Sequence, residues 1–278
     1  MNILWFGLEE RLGIEESHSV LILNKATFST EKVLQFKPDI VIEREFNDGI
    51  SEYRAEICWI KKTFPTCKTM VWLIDTHVRK EIHNEYSKNF DYIFVAISSC
   101  IPDFDRKNRI FWLPLCFPLP EVPQETLIIE KKYPIGFVGR FNCRYMEDRT
   151  FFLKQIKDHY KRLCHFVVDY KDAYKTMSEC NIMLNKSIGI DMNFRVFEAL
   201  ACRNVLITNS VPDLYKIEGL SDRIFIFNSI SGAKELIDQA IHKNLKHNDV
   251  DYINTKHTIK QRILAMLTMS FTEVQMTF

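Results

Sequence analysis

The stretch that most limits what this chain can fold into is Cys180 to Asn209, CNIMLNKSIGIDMNFRVFEALACRNVLITN. Ile182 to Leu184 and Val205 to Thr208 are short apolar, β-rich runs, and between them Phe194, Phe197, Leu200 and Ala201 recur at helical spacing. This is strand, loop, helix, strand: one βαβ unit. Its loop, Lys186 to Asn193, contains Gly189, and Asp191 or Asn193 is placed to cap the helix. A helix start at the carboxyl end of a parallel strand is where open α/β sheets hold phosphate. Glu198 follows Asp191 by two helical turns, so its carboxylate is within reach of ribose hydroxyls on the same ligand.

The rest of the chain repeats the pattern. Met1–Phe6, Asp39–Ile42, Lys68–Ile74, Tyr92–Ala96 and Arg109–Leu113 read as strands, separated by helices over Ser51–Lys62 and Val78–Lys88. From Pro114 to Pro134 five prolines fall within 21 residues, a stiff linker composition. A second series follows: strand Ile135–Val138, helix Asp148–Lys161, strand Cys164–Val168, helix Lys171–Ser178, the βαβ unit, strand Arg223–Phe227 and helix Gly232–Lys243. A basic amphipathic helix is expected over Thr255–Leu267, and Asn204 is expected to supply the left-handed residue that ends the preceding helix. The resulting expectation is an α/β protein of two Rossmann-like domains with parallel sheets facing a cleft. The divisions are 1–117, a linker 118–133, 134–250, and a C-terminal helix in 251–278 that packs back toward the first domain.

With 46% hydrophobic residues, 278 positions can bury two cores. No apolar run reaches the ~18 residues of a membrane span, and no signal-peptide pattern opens the chain, so a cytoplasmic location is expected. A net charge of +1 offers no general signature for nucleic acid. The eight cysteines lie mostly in apolar runs and never as CxxC, which favours reduced core thiols over zinc ligands or disulfides.

Three places could carry chemistry. The turn FVGRFNCRYMEDR gathers Arg140, Arg144 and Arg149 behind Gly139, beside the Gly189 loop, where guanidinium forks suit a diphosphate. IDTH brings Asp75 and His77 to a strand end, as acceptor-orienting groups or a general base, or simply as a helix-capping turn. Asp103-Phe104-Asp105 has the DxD spacing of a metal-binding triplet but reads as a solvated loop; His242 and His247 read as solvated too. No metal site is expected.

FVGRF with Arg149, NIMLNKSIGIDMNFRVFEALAC, WLPLCFP and HTIKQRIL resemble the GT-B glycosyltransferases, most closely their spore-maturation CgeB-like branch. The resemblance implies transfer of a sugar from a nucleotide-sugar donor, a UDP-sugar foremost, with no cofactor and no metal, and with retention at the anomeric carbon. It implies donor-binding roles for Gly139, Arg140, Arg149, Asn185, Gly189, Asp191, Met192, Asn193, Arg195 and Glu198. Asp75 and His77 would lie on the catalytic, acceptor side, with a protein, a surface polymer or a modified DNA base as acceptor. Two positions depart from the family pattern: Ile190 stands where an acidic residue is usual, and Arg203 where glycine is. A non-catalytic nucleotide- or sugar-binding protein and a nucleotide-sugar epimerase are the rival expectations on the same architecture.

Overall fold

A computed structural model describes residues 1–278 apart from 8–10, 45–52, 106–108, 141–146, 169–171, 273–274 and 277. The chain divides into two compact units: Met1–Leu115 with Ile259–Met276, and Cys116–Thr258 with Thr277–Phe278.

The first unit holds a six-stranded sheet built from β1 (Asn2–Phe6), β2 (Ser19–Leu23), β3 (Ile40–Arg44), β4 (Lys68–Leu73), β5 (Tyr92–Val95) and β6 (Ile110–Trp112). Every pairing is parallel, in the order β2-β1-β3-β4-β5-β6. Parallel strands covered on both faces read as unbroken apolar runs, and Leu4, Val41, Val71, Phe94 and Val95 are buried accordingly. Helices α1 (Thr30–Phe36), α2 (Arg54–Thr63) and α3 (Thr76–Ser87) make the connections. Sequence reading misses β2 and α1, because SVLIL is a single short run with no turn signal tying it to β1.

The second unit holds α4 (Gln124–Leu127), β7 (Tyr133–Val138), α5 (Glu147–Tyr160), β8 (Cys164–Val167), α6 (Ala173–Ser178), β9 (Cys180–Asn185), α7 (Arg195–Ala201), β10 (Val205–Asn209), β11 (Phe225–Phe227), α8 (Ile230–His242) and α9 (Val250–Lys256). Its parallel strands run β11-β10-β9-β7-β8. Strand order therefore reverses between β7 and β9: the chain leaves β7 for β8 on one side and returns to β9 on the other. The loops that leave such a pair diverge and open a crevice at its carboxyl end. Gly136, in the middle of β7, permits close contact with β9; a Cβ there would lie 2.4 Å from Cys180 Sγ.

Two local expectations need correction. The helix expected over Thr255–Leu267 is two helices, α9 and α10 (Ile259–Thr272), broken at His257 and Thr258. His257 is fully buried, its ring 5.4 Å from Phe197 and 4.6 Å from Tyr252, and its carbonyl accepts from the Phe117 N–H at 2.7 Å. The break thus aims the backbone at another segment. Within α10, Arg262 is fully buried, donating from Nε to the Pro114 carbonyl at 2.7 Å and from a terminal nitrogen to that of Leu115 at 3.0 Å. Finally, Arg203 itself takes the left-handed conformation after α7, at φ 56°, a strained setting for a residue with a Cβ. Asn204 is buried instead, with its amide donating to the carbonyls of Met177 and Cys180.

Candidate functional site

The loops after β7 and β9 meet at the point where strand order reverses, and one side chain ties them together. Arg149, buried on the first turn of α5, donates from Nε to the Lys186 carbonyl at 2.7 Å and from a terminal nitrogen to the Arg140 carbonyl at 3.2 Å. Two of its donors are spent on backbone, so it fixes the separation of the loops. Gly139 is needed where it stands: its φ of 143° is disfavoured for any other residue. Its N–H is committed to the Val167 carbonyl at 2.9 Å.

Behind the loops lies a buried polar lattice. Arg195 donates from Nε to the Val138 carbonyl at 2.6 Å and to Asn185 Oδ1 at 2.9 Å, and its guanidinium sits 4.5 Å from the Phe137 ring centre. Asn193 donates to the same Asn185 oxygen at 3.1 Å, and its own Oδ1 accepts from the N–H of Arg195, the first residue of α7, at 3.1 Å. Asn185 continues to Thr208 Oγ1 at 3.0 Å, and the Ser187 N–H donates to Asn209 Oδ1 at 2.6 Å. Loops after three neighbouring strands are thereby locked to one another before any ligand arrives.

Glu198 is half-buried one turn beyond Arg195. Burial raises its pKa, against the charge of Arg195 and a hydrogen bond from Tyr174, which both favour the carboxylate. A raised pKa means that the folded state holds the proton more tightly than the unfolded chain does. The stability this contributes is present at acid pH and is lost as pH rises through the folded value. Glu198→Gln, which imitates the protonated form, should therefore melt higher than the parent at neutral pH, with the gain vanishing at acid pH. Thermal melts across that range check it.

The structure sorts the expected residues by depth. Arg140 and Gly189 (φ 59°) are exposed; Asp191, Asn193 and Glu198 are half-buried; Asn185, Met192, Arg149 and Arg195 are buried. Arg144 and Cys143 lie outside the described residues. In the first unit, Asp75 adopts a left-handed conformation (φ 54°) before α3, at the carboxyl end of β4. His77 follows; burial lowers its pKa, partly opposed by Asp75, and its Nδ1 is buried with no partner among the described residues. Asp103 pairs with Lys80 at 2.6 Å, and Asp105 accepts from the Asn84 amide at 3.0 Å. His247 is half-buried, 3.4 Å from Asp249 and edge-on to Phe225. The partnership of Tyr174 with Glu198 has no sequence signal, since the two residues are 24 positions apart and on different helices.

Residues 131–268 match the model of the family described as glycosyl transferase-like. This half of the chain is glycosyltransferase-like. The matched segment contains β7, β9, α7 and the whole polar lattice. None of the curated proteins compared with the sequence matches it. Among solved structures, HepE from Anabaena in complex with UDP-glucose is similar at TM-score 0.60 and 10% identity, covering 98% of this chain and 99% of HepE. Sucrose-phosphate synthase from Thermosynechococcus elongatus is similar at 0.53 and 11%, with 98% of each chain covered. A glycosyltransferase from Rickettsia africae is similar at 0.51 and 11%, covering 98% and 94%. At these identities the likeness establishes the fold: α/β, with the two parallel sheets of the GT-B glycosyltransferases. Among the described residues no helix is long and apolar enough to cross a membrane.

Proposed function

We propose that the protein is a glycosyltransferase of the CgeB-like branch that takes a UDP-sugar into the second unit, at the crevice between β7 and β9. The observation that carries this reading is the bridge made by Arg149 across the two loops, with Glu198 behind them. Two diverging loops are held at a set separation, with an exposed arginine on one, an exposed glycine on the other and a desolvated carboxyl in reach. Glu198 accepts the ribose hydroxyls, Arg140 meets the diphosphate, and Asp191 and Asn193 face the sugar or phosphates. Buried Asn185, Met192, Arg149 and Arg195 keep those groups in place. Helix α7 has only seven residues, so the arginine side chain rather than the helix end neutralises the leaving diphosphate. The structural neighbour HepE was solved with UDP-glucose, which supports a UDP-sugar as donor.

A charge that grows on the leaving group is stabilised more in the transition state than before it. Arg140→Ala should therefore lower kcat as well as donor affinity, together costing kcat/KM about tenfold to a hundredfold. Glu198→Ala should act mainly on donor KM, at about 1.5–3 kcal/mol. Steady-state kinetics with UDP release as the readout separate the two, and equal small effects would remove the assignment. Release of UDP that depends on an added acceptor hydroxyl distinguishes a transferase from a binding protein. An epimerase would alter the free donor with no acceptor present.

The reaction proceeds without metal and with retention. Activity should survive EDTA, and proton NMR of the first product should show the donor's anomeric configuration. His77 supports a second reading. An imidazole kept neutral by burial, with an unpartnered nitrogen, is suited to take a proton from an acceptor hydroxyl. An inverted product, lost in His77→Gln, would move catalysis to that residue.

A further inference from the structure

A cavity of about 770 Å³ opens in the second unit at the amino ends of β7 and β9, the opposite edge of the sheet from the Gly139 and Gly189 loops. Its walls include Lys131, Arg203 and Lys246, against Glu130 as the one carboxylate among the described lining residues. The Arg203 guanidinium makes no hydrogen bond or ion pair among the described residues, and its Nε is buried. Lys131 is also without a counter-ion, since its ammonium donates to the Cys202 carbonyl at 2.7 Å. Burial and the nearby Arg203 charge bring its pKa down to about 8. Two cations side by side in a concave, partly desolvated wall, unpaired by any carboxylate, cost the fold stability unless something neutralises them. Arg203 is held there at a strained φ of 56°, where glycine would be relaxed.

We propose that this cavity is a second binding site, for a small molecule carrying a phosphate or diphosphate held between Lys131 and Arg203. Guanidinium and ammonium donors match phosphate oxygens, the Asn181 amide adds a neutral donor, and the volume suits a small organic phosphate. The site owes nothing to the donor reading, and its test reads Lys131 alone.

Brief treatment with acetic anhydride, followed by peptide mass mapping, measures how fast the Lys131 amine is acylated. Inorganic pyrophosphate at constant ionic strength should slow that acylation saturably, while exposed Lys216 is unaffected. In Arg203→Gln the pyrophosphate concentration needed should rise about tenfold to a hundredfold. Lys246→Gln, an exposed position that the fold does not need, provides a second variant and should shift it in the same direction. Absence of protection, or protection unchanged in both folded variants, overturns the proposal. Protection by anionic lipid vesicles but not by pyrophosphate overturns it as well, in favour of a membrane surface.

Discussion

Arg195→Met should destabilise the protein by about 3–5 kcal/mol and remove measurable donor binding. Methionine restores most of the lost volume, so the effect is not that of a cavity. It leaves the Val138 carbonyl and Asn185 Oδ1 without the guanidinium that bonds them at 2.6 and 2.9 Å. It also strips Glu198 of the cation whose charge favours its carboxylate, so burial raises that carboxyl's pKa further. At neutral pH the carboxylate that should receive the ribose becomes costlier to keep ionised, and affinity falls with stability. Arg195→Lys should recover part of the charge effect and little of the geometry, because an ammonium cannot serve two acceptors in a fixed fork. Urea titration gives the stability, and a UDP thermal shift gives the binding. A loss below about 1 kcal/mol would show that the lattice closes without its arginine.

Gly136→Ala is expected to cost about 3 kcal/mol, at the upper end of the range for overpacking a core. A Cβ at this position would meet Cys180 Sγ at 2.4 Å, Cys180 Cβ at 2.8 Å and Met183 Cε at 3.0 Å. The methionine methyl can swing aside, but the Cβ of Cys180 moves only with its backbone. Because Cys180 opens β9, relief requires prising β7 from β9, the pair whose carboxyl ends carry the candidate site. Cys180→Gly in the same chain removes both cysteine contacts, so the double variant should be more stable than the sum of the single changes predicts. Additive losses would mean that the sheet absorbs the methyl group elsewhere.

The class of fold was legible in the chain because buried parallel strands leave a local record. IVI, MVWL and IML are continuous apolar runs, each followed by a helix-spaced segment, and no antiparallel scheme requires that alternation. The loops of the candidate site were legible for a related reason: glycine and short polar residues mark the carboxyl ends of such strands. Gly139, Gly189 and Asn193 all stand at loop positions that call for them. Less local features were lost. The strand β2 leaves too short a run, and the break at His257 depends on a partner backbone at Phe117, 140 positions earlier.

The sequence by itself determined that strands alternate with helices, that glycines and arginines cluster after two of those strands, and that a carboxylate lies in one helix. These follow from side-chain periodicity and backbone preference, which act over a few residues; where the helix begins did not follow, since α7 starts at Arg195 and places Glu198 in its first turn. Only the tertiary structure decided which of those groups stay available and which are spent on the frame. Arg140 and Arg149 look alike in the sequence, yet one is exposed and the other donates to two loop carbonyls. Likewise Arg203, an interruption in a family pattern, becomes half of a cation pair only because Lys131 folds beside it. Burial and hydrogen-bond partnership depend on residues far apart in the chain, and they set a side chain's charge and reach.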